Sequence, residues 1–208
     1  MHDLRNCNCM DLMREFPDKH FELAIVDPPY GINNTRAGGR GINGWRDYGD
    51  GLWDRSAPQP EYFSELFRVS QNQIIWGANH FISKIPYDFP GFVIWDKGQR
   101  DFSLADGELA WTSHKRAARI FTYTRAAALQ EGKIHPTQKP VALYRWLLHN
   151  YAKPGDKILD THLGSGSIAI ACHEKGFHLT GSELDPDYFA AMQKRLAEAT
   201  AQGDMFGA

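Results

Sequence analysis

Phe21-Glu22-Leu23-Ala24-Ile25-Val26-Asp27-Pro28-Pro29-Tyr30 is the stretch on which the fold turns. Residues 21–26 read as a buried strand, bounded upstream by Pro17-Asp18. Asp27 therefore falls at the strand's C-terminal end, where open α/β sheets form their ligand crevice. Pro28 and Pro29 remove two backbone N–H donors and stiffen the exit, leaving carbonyl oxygens as acceptors. A carboxylate, a fixed carbonyl and the Tyr30 ring together suit a planar ring that carries an amino group. The plain alternative is a strand ending in a Pro-rich turn capped by Asp27.

Working outward, Lys157-Ile158-Leu159-Asp160 reads as a short strand, followed by Thr161-His162-Leu163-Gly164-Ser165-Gly166-Ser167 and a helical run from Ile168 to Cys172. Strand, glycine turn and helix form a nucleotide cradle, because glycine permits both the tight turn and close backbone approach. About twenty residues on, the strand 178–183 ends in Glu183, placed to accept from ribose hydroxyls. Between the two signatures, His135-Pro136-Thr137-Gln138-Lys139-Pro140 opens a helix. Lys139 and the first-turn N–H groups there suit a carboxylate. Taken alone, that segment reads equally as a helix cap.

In this order the segments resemble the S-adenosylmethionine-dependent amino methyltransferases of DNA. More narrowly, they resemble the permuted group in which the catalytic segment precedes the cofactor segment, including small phage-type adenine methyltransferases. The resemblance covers nearly the whole chain and also takes in Ile75 to Phe81, Val93 to Lys97 and Glu108 to Ser113. It implies a class I, three-layer α/β sheet of seven strands, mostly parallel with one antiparallel hairpin strand. Asp27, Pro28, Pro29 and Tyr30 become the catalytic set. Asn8, Asp27, Thr137, Lys139, Asp160, His162, Gly164, Ser165, Gly166, Ser167 and Glu183 become the cofactor-binding set. Two departures stand out. The family usually has Asp-Pro-Phe where this chain has Asp160-Thr161-His162, and Gly-Asp-Cys where it has Cys7-Asn8-Cys9. Asn8 keeps a carbonyl acceptor without the charge.

Composition bounds the rest. The 208 residues suffice for one well-buried methyltransferase domain over 1–208. Three cysteines, an odd number, argue against a disulfide framework and suit a reducing cytoplasm. One C-x-C and scattered histidines give no metal-ligand spacing. No apolar run reaches transmembrane length and no signal-peptide pattern opens the chain. The formal net charge of −2 does not announce nucleic acid, and its distribution says more. Residues 111–140 hold Lys115, Arg116, Arg119, Arg125, Lys133 and Lys139 against Glu131 alone, with Phe121 and Tyr123 interleaved. Such a stripe binds phosphates and stacks bases, or defends an edge strand.

Further elements follow from pattern: strands at 4–8, 73–76, 92–95, 109–112 and 120–124, and helices at 11–16, 61–69 and 187–199. The Gly-rich segment 31–60, with Arg36 and Arg40, and a basic insertion at 98–135 are the candidate target-recognition elements. The segment 31–60 reads as a lid or as an Ω-loop packed by Trp45, Tyr48, Leu52 and Trp53. Phosphate contacts are expected from 114–125, beside the mouth of the site. The implied activity is transfer of a methyl group to the N6 amino group of an adenine flipped out of DNA. Cytosine-N4 or RNA adenine targets, and a catalytically inactive partner subunit, are the alternatives. A homodimer would extend the small recognition surface.

Overall fold

The computed structural model describes residues 2–32, 56–85, 88, 91–100, 105–132, 134, 135 and 137–206. Residues 33–55 of the expected loop at 31–60, Arg36 and Arg40 among them, lie outside the described residues.

In chain order the elements are β1 (Asp3–Asn6), α1 (Cys9–Arg14), β2 (Phe21–Val26), α2 (Pro60–Val69) and β3 (Ser70–Trp76). Two single 3-10 turns follow, and then β4 (Gly91–Asp96), β5 (Gly107–Thr112), β6 (Arg119–Thr122) and α3 (Arg125–Gln130). The chain closes with α4 (Val141–Tyr151), β7 (Lys157–Asp160), α5 (Ser167–Lys175), β8 (His178–Glu183) and α6 (Pro186–Phe206). The strands form one sheet in the order β1-β8-β7-β2-β3-β5-β4-β6. Among the described strands β5 alone runs antiparallel, pairing that way with both β3 and β4.

Among the described residues the sheet has eight strands where the resemblance implied seven. The eighth is β6, which adds in parallel to β4 at the sheet's edge. Residues 107–112 are an interior strand, so the basic stretch 98–135 is built into the sheet itself. The short helix α3, capped by Thr124 accepting from Ala127 N, has no counterpart in the sequence reading because its few residues show no apolar period.

The period-two alternation of each strand assembles two cores. Leu23 and Ile25, Ile74 and Trp76, Val93 and Trp95, and Ile158 face the layer of α4, α5 and α6. Ala24, Val26, Ile75, Trp111 and Leu159 face the layer of α1 and α2. Parallel strands buried on both faces read as continuous apolar runs, which is why residues 21–26 carry only one charged side chain.

Candidate active site

The decisive pairing is β2 beside β7, with Leu23 opposite Ile158 and Ala24 opposite Leu159. It sets the end of β2, and with it Asp27, next to Asp160 and the glycine turn, although well over a hundred residues separate them. On β7's other side, β8 pairs Asp160 with Gly181 and brings Glu183 to the same edge. This edge, formed by the C-terminal ends of the parallel strands, is the crevice position of an open α/β sheet.

The turn between β7 and α5 is built for backbone approach. Gly164 and Gly166 have φ of +48° and +70°, a region that side-chain-bearing residues rarely adopt. A Cβ on Gly166 would stand 2.3 Å from Met192 Cγ of α6. Glu183 fixes the turn: Oε2 accepts from Gly164 N at 2.8 Å and Oε1 from Asp185 N at 3.0 Å. Each carboxylate oxygen keeps a further lone pair for a hydroxyl donor. Arg195 of α6 donates to the Ser165 carbonyl and to Ser167 Oγ, both at 2.9 Å, and Ser165 Oγ lies 3.1 Å from Ser167 Oγ. The His135 ring sits 3.9 Å from where a Cβ on Gly164 would be, edge-on to Tyr188, and Thr137 Oγ1 is 3.2 Å from His135 Nδ1.

Asp160 is buried, and burial pushes its carboxyl up to about 8, although Oδ1 accepts from His162 N at 3.0 Å. His162 packs edge-on against Tyr62 of α2, its Nδ1 2.9 Å from Thr161 Oγ1. Burial lowers its imidazole to about 4, so it is a neutral ring at pH 7. Asn8, expected in the cofactor-binding set, stands at the start of α1. Its Oδ1 accepts from Met10 N at 2.8 Å and caps α1.

The second half of the site is a charged cluster. Tyr30 OH donates to Asp27 Oδ1 at 2.7 Å, and Lys139 Nζ donates to Asp27 Oδ2. Lys139 also reaches Glu108 Oε2 at 3.1 Å, and Lys97 reaches Glu108 Oε1 at 2.7 Å. The Lys139 side chain is 1% exposed and lies 5.2 Å from the Trp76 ring centroid. Lys139, expected to hold a ligand carboxylate, here pairs with two protein carboxylates. Burial raises the Asp27 carboxyl above its ordinary value, with Lys139 opposing and Glu108 adding to the rise. Burial alone would also raise Glu108, but Lys139 and Lys97 hold it down at about 2. Tyr30 stacks on His80 at 4.9 Å and 16°, and Gly77 packs so closely against the Tyr30 ring that a Cβ there would overlap it. Pro28 is buried beside them, and Pro29 partly so.

Glu108, Lys97, His80 and Arg195 went unassigned in the sequence reading. Glu108 and Lys97 did lie in segments that carried the resemblance, and opposite charges near two strand ends were their only signal.

The basic stretch does not gather at the mouth. β5 begins at Gly107 opposite Asp96 and ends at Thr112 opposite Gly91. The following turn with Lys115 and Arg116 therefore lies at the opposite edge of the sheet, roughly 20 Å away for six strand residues. There Arg116 donates to the Asn150 carbonyl at the end of α4 and lies over the Tyr151 ring. Arg119 pairs with Val93, inside the sheet's span, whereas Arg125, next to Lys97, and Lys139, beside Asp27, reach the active edge. The expected position beside the mouth is corrected for Lys115 and Arg116. The antiparallel course of β5, which sequence did not reveal, is the reason.

A nucleotide-cradling turn beside a strand-end carboxylate with two following prolines defines a class I methyltransferase. The chain belongs to the DNA methylase family of N6 and N4 amino methyltransferases, whose family model matches residues 76–194. The cofactor of this family is S-adenosylmethionine, and the glycine turn with Glu183 fits it. Among curated relatives, the type II methyltransferase M2.MboI of Moraxella bovis is 28% identical over 71% of this chain and 49% of its own length. The type II methyltransferase M.HinfI of Haemophilus influenzae is 25% identical over 92% of this chain and 67% of its own. The chain thus spans about half of one and two thirds of the other. Among solved structures, the M1.HpyAVI–SAM complex superposes with a TM-score of 0.64 at 20% identity, over 94% of this chain and all of that one. The cytosine-N4-specific PvuII DNA methyltransferase also gives 0.64, at 12% identity, over 96% and 90%. Both adenine and cytosine chemistry are therefore compatible with the fold.

Proposed function

We propose that this chain transfers the methyl group of S-adenosylmethionine to the N6 amino group of an adenine flipped out of DNA, at a specific sequence. The observation that carries the reading is Asp27, a mostly buried carboxylate at the end of β2, one strand away from the glycine turn. In the family that this chain resembles, Asp at this position leans towards adenine and Ser towards cytosine. The names of its type II relatives suggest a role beside a restriction enzyme.

Gly164, Ser165, Gly166, Ser167 and Glu183 would hold the cofactor, with Thr137, Asp160 and His162 around them. Bound there, the cofactor supplies a methyl group made electrophilic by its sulfonium. An aromatic amino nitrogen is a poor nucleophile because its lone pair is delocalised into the ring. Asp27 accepting one amino hydrogen, and the Pro28 carbonyl the other, favours a pyramidal nitrogen whose lone pair points outward. Pro29 holds the turn rigid and Tyr30 offers its ring face to the base. Asp27 then takes the proton that alkylation makes acidic, a task suited to a carboxyl raised by burial. Target reading falls to residues near the active edge, Arg125 among them, or is shared across a dimer.

Incubation with labelled S-adenosylmethionine and mixed-sequence DNA, followed by nucleoside analysis, tests the reading. N6-methyladenine at a fixed sequence is expected. N4-methylcytosine would move the target, and label only in RNA would replace the substrate.

A further inference from the structure

We infer that Glu108 is a positioning residue for methyl transfer, acting as the second acceptor that lets Lys139 release the Asp27 oxygen an incoming amino group needs. The inference rests on the function proposed above.

In the free protein both oxygens of Asp27 already carry donors: Tyr30 OH on Oδ1 and the Lys139 ammonium on Oδ2. The ammonium bond is the stronger obstacle, being charge-assisted and buried. Were Asp27 the sole carboxylate beside Lys139, moving away would strand a charge out of water with only the Tyr30 hydroxyl, at 3.3 Å, to receive it. Glu108 removes that obstacle. Its Oε2 stands 3.1 Å from Lys139 Nζ, and Lys97 holds its other oxygen at 2.7 Å. Two ammonium groups and two carboxylates form a balanced chain, Lys97–Glu108–Lys139–Asp27, within which Lys139 can shift its weight from Asp27 to Glu108 without losing a partner. Two separate strands serve this one site: Glu108 stands opposite Trp95 where β5 pairs with β4, and Asp27 follows β2.

The charged and titratable groups around Asp27 come from every neighbouring element: Tyr30 on its own turn, Lys139 before α4, Tyr144 in α4, Glu108 on β5, Asp160 on β7 and Tyr62 in α2. Of these, Glu108 raises the Asp27 carboxyl by like charge and Lys139 lowers it. Without Glu108, the like charge disappears and Lys139 turns wholly to Asp27. Both changes lower the Asp27 carboxyl.

The test compares wild type, Glu108→Gln and Glu108→Asp by kcat and KM on methylatable DNA, by the pH dependence of kcat, and by calorimetry of S-adenosylmethionine binding. For Glu108→Gln, kcat should fall about ten- to a hundredfold, as small misplacements of reacting groups do. DNA KM and cofactor affinity should stay within about threefold, roughly 0.65 kcal/mol. The acid limb of the kcat profile should move to lower pH, a shift that a loss of folding alone does not produce. Glu108→Asp keeps the charge and should recover part of kcat. Should Glu108→Gln not fold, a kcat loss at constant KM in Glu108→Asp carries the test. A kcat within twofold of wild type, or a loss confined to cofactor or DNA binding, overturns the inference and leaves the proposed function standing. A wild type that methylates no nucleic acid overturns both.

Discussion

The two halves of the active edge are held by different physics. On the cofactor side, Gly164 to Ser167 are fixed by backbone geometry, by the Gly164 N–H bond to Glu183 and by Arg195 donating to Ser165 and Ser167. On the catalytic side, Asp27 is fixed by an ion pair with Lys139 from the approach to α4, and Lys139 is held in turn by Glu108 of β5. The first half is local in sequence and set by backbone geometry. The second is non-local and set by charge balance in a buried place. Lesions in the first half should therefore appear as cofactor affinity, and lesions in the second as turnover.

The largest expected effect breaks the catalytic half. Asp27→Ala should lower kcat by about 10²–10⁴, the usual worth of a positioned acid–base group. Cofactor affinity measured by calorimetry should change less than about tenfold, roughly 1.4 kcal/mol. Equal losses in both quantities would erase the division between the halves. Next, Glu183→Ala should weaken cofactor binding by about 1–3 kcal/mol, because Gly164 and Asp185 lose an acceptor and the cofactor a charged partner. An unchanged affinity would take Glu183 out of the binding role.

The glycines sharpen the same contrast. Gly166→Ala strains a φ of +70° and collides with Met192, and Gly77→Ala strains a φ of +68° and overlaps Tyr30. Each should cost about 1–3 kcal/mol in denaturant unfolding. Gly166→Ala should in addition weaken cofactor binding, and Gly77→Ala should in addition lower turnover. Identical kinetic signatures would contradict the contrast.

Asp160 gives a smaller, pH-dependent effect. Its carboxyl is raised by burial from an ordinary value near 3.8 to about 8 in the folded protein. Folding thus takes up a proton, and the stability it contributes, full below about pH 4, is lost as pH rises towards 8. Asp160→Asn keeps the Oδ1 acceptor for His162 N and should flatten the stability profile over that window. A wild-type profile already flat from pH 4 to 8 would remove the buried neutral acid. The smallest effect expected is from Lys115→Gln with Arg116→Gln, at the far edge of the sheet. The slope of log DNA affinity against log salt should not move, whereas phosphate contacts would lower it by about 0.9 per residue.

Much of the fold was legible because strands buried on both faces announce themselves as short apolar runs. Residues 21–26, 73–76, 92–95 and 157–160 all fall within observed strands. The glycine turn was legible because its residue types are demanded by φ. The direction of β5 was not legible, since a six-residue strand carries no mark of whether its neighbour runs with it or against it. That single unknown moved Lys115 and Arg116 from the expected mouth of the site to the opposite edge. The capping of α1 by Asn8 went unread for a different reason: an Asn before a helix can cap it and still offer polar atoms elsewhere.

The sequence by itself determined the class of fold, the glycine turn, the strand-end acid Glu183 and the Asp27-Pro28-Pro29-Tyr30 segment, because each depends on local backbone preferences or on residue type. Only the tertiary structure decided that Lys139 serves Asp27 and Glu108, and that the basic turn faces away. Pairing β2 with β7 and reversing β5 joins residues far apart in the chain. A buried ammonium takes whichever carboxylates that joining brings within reach.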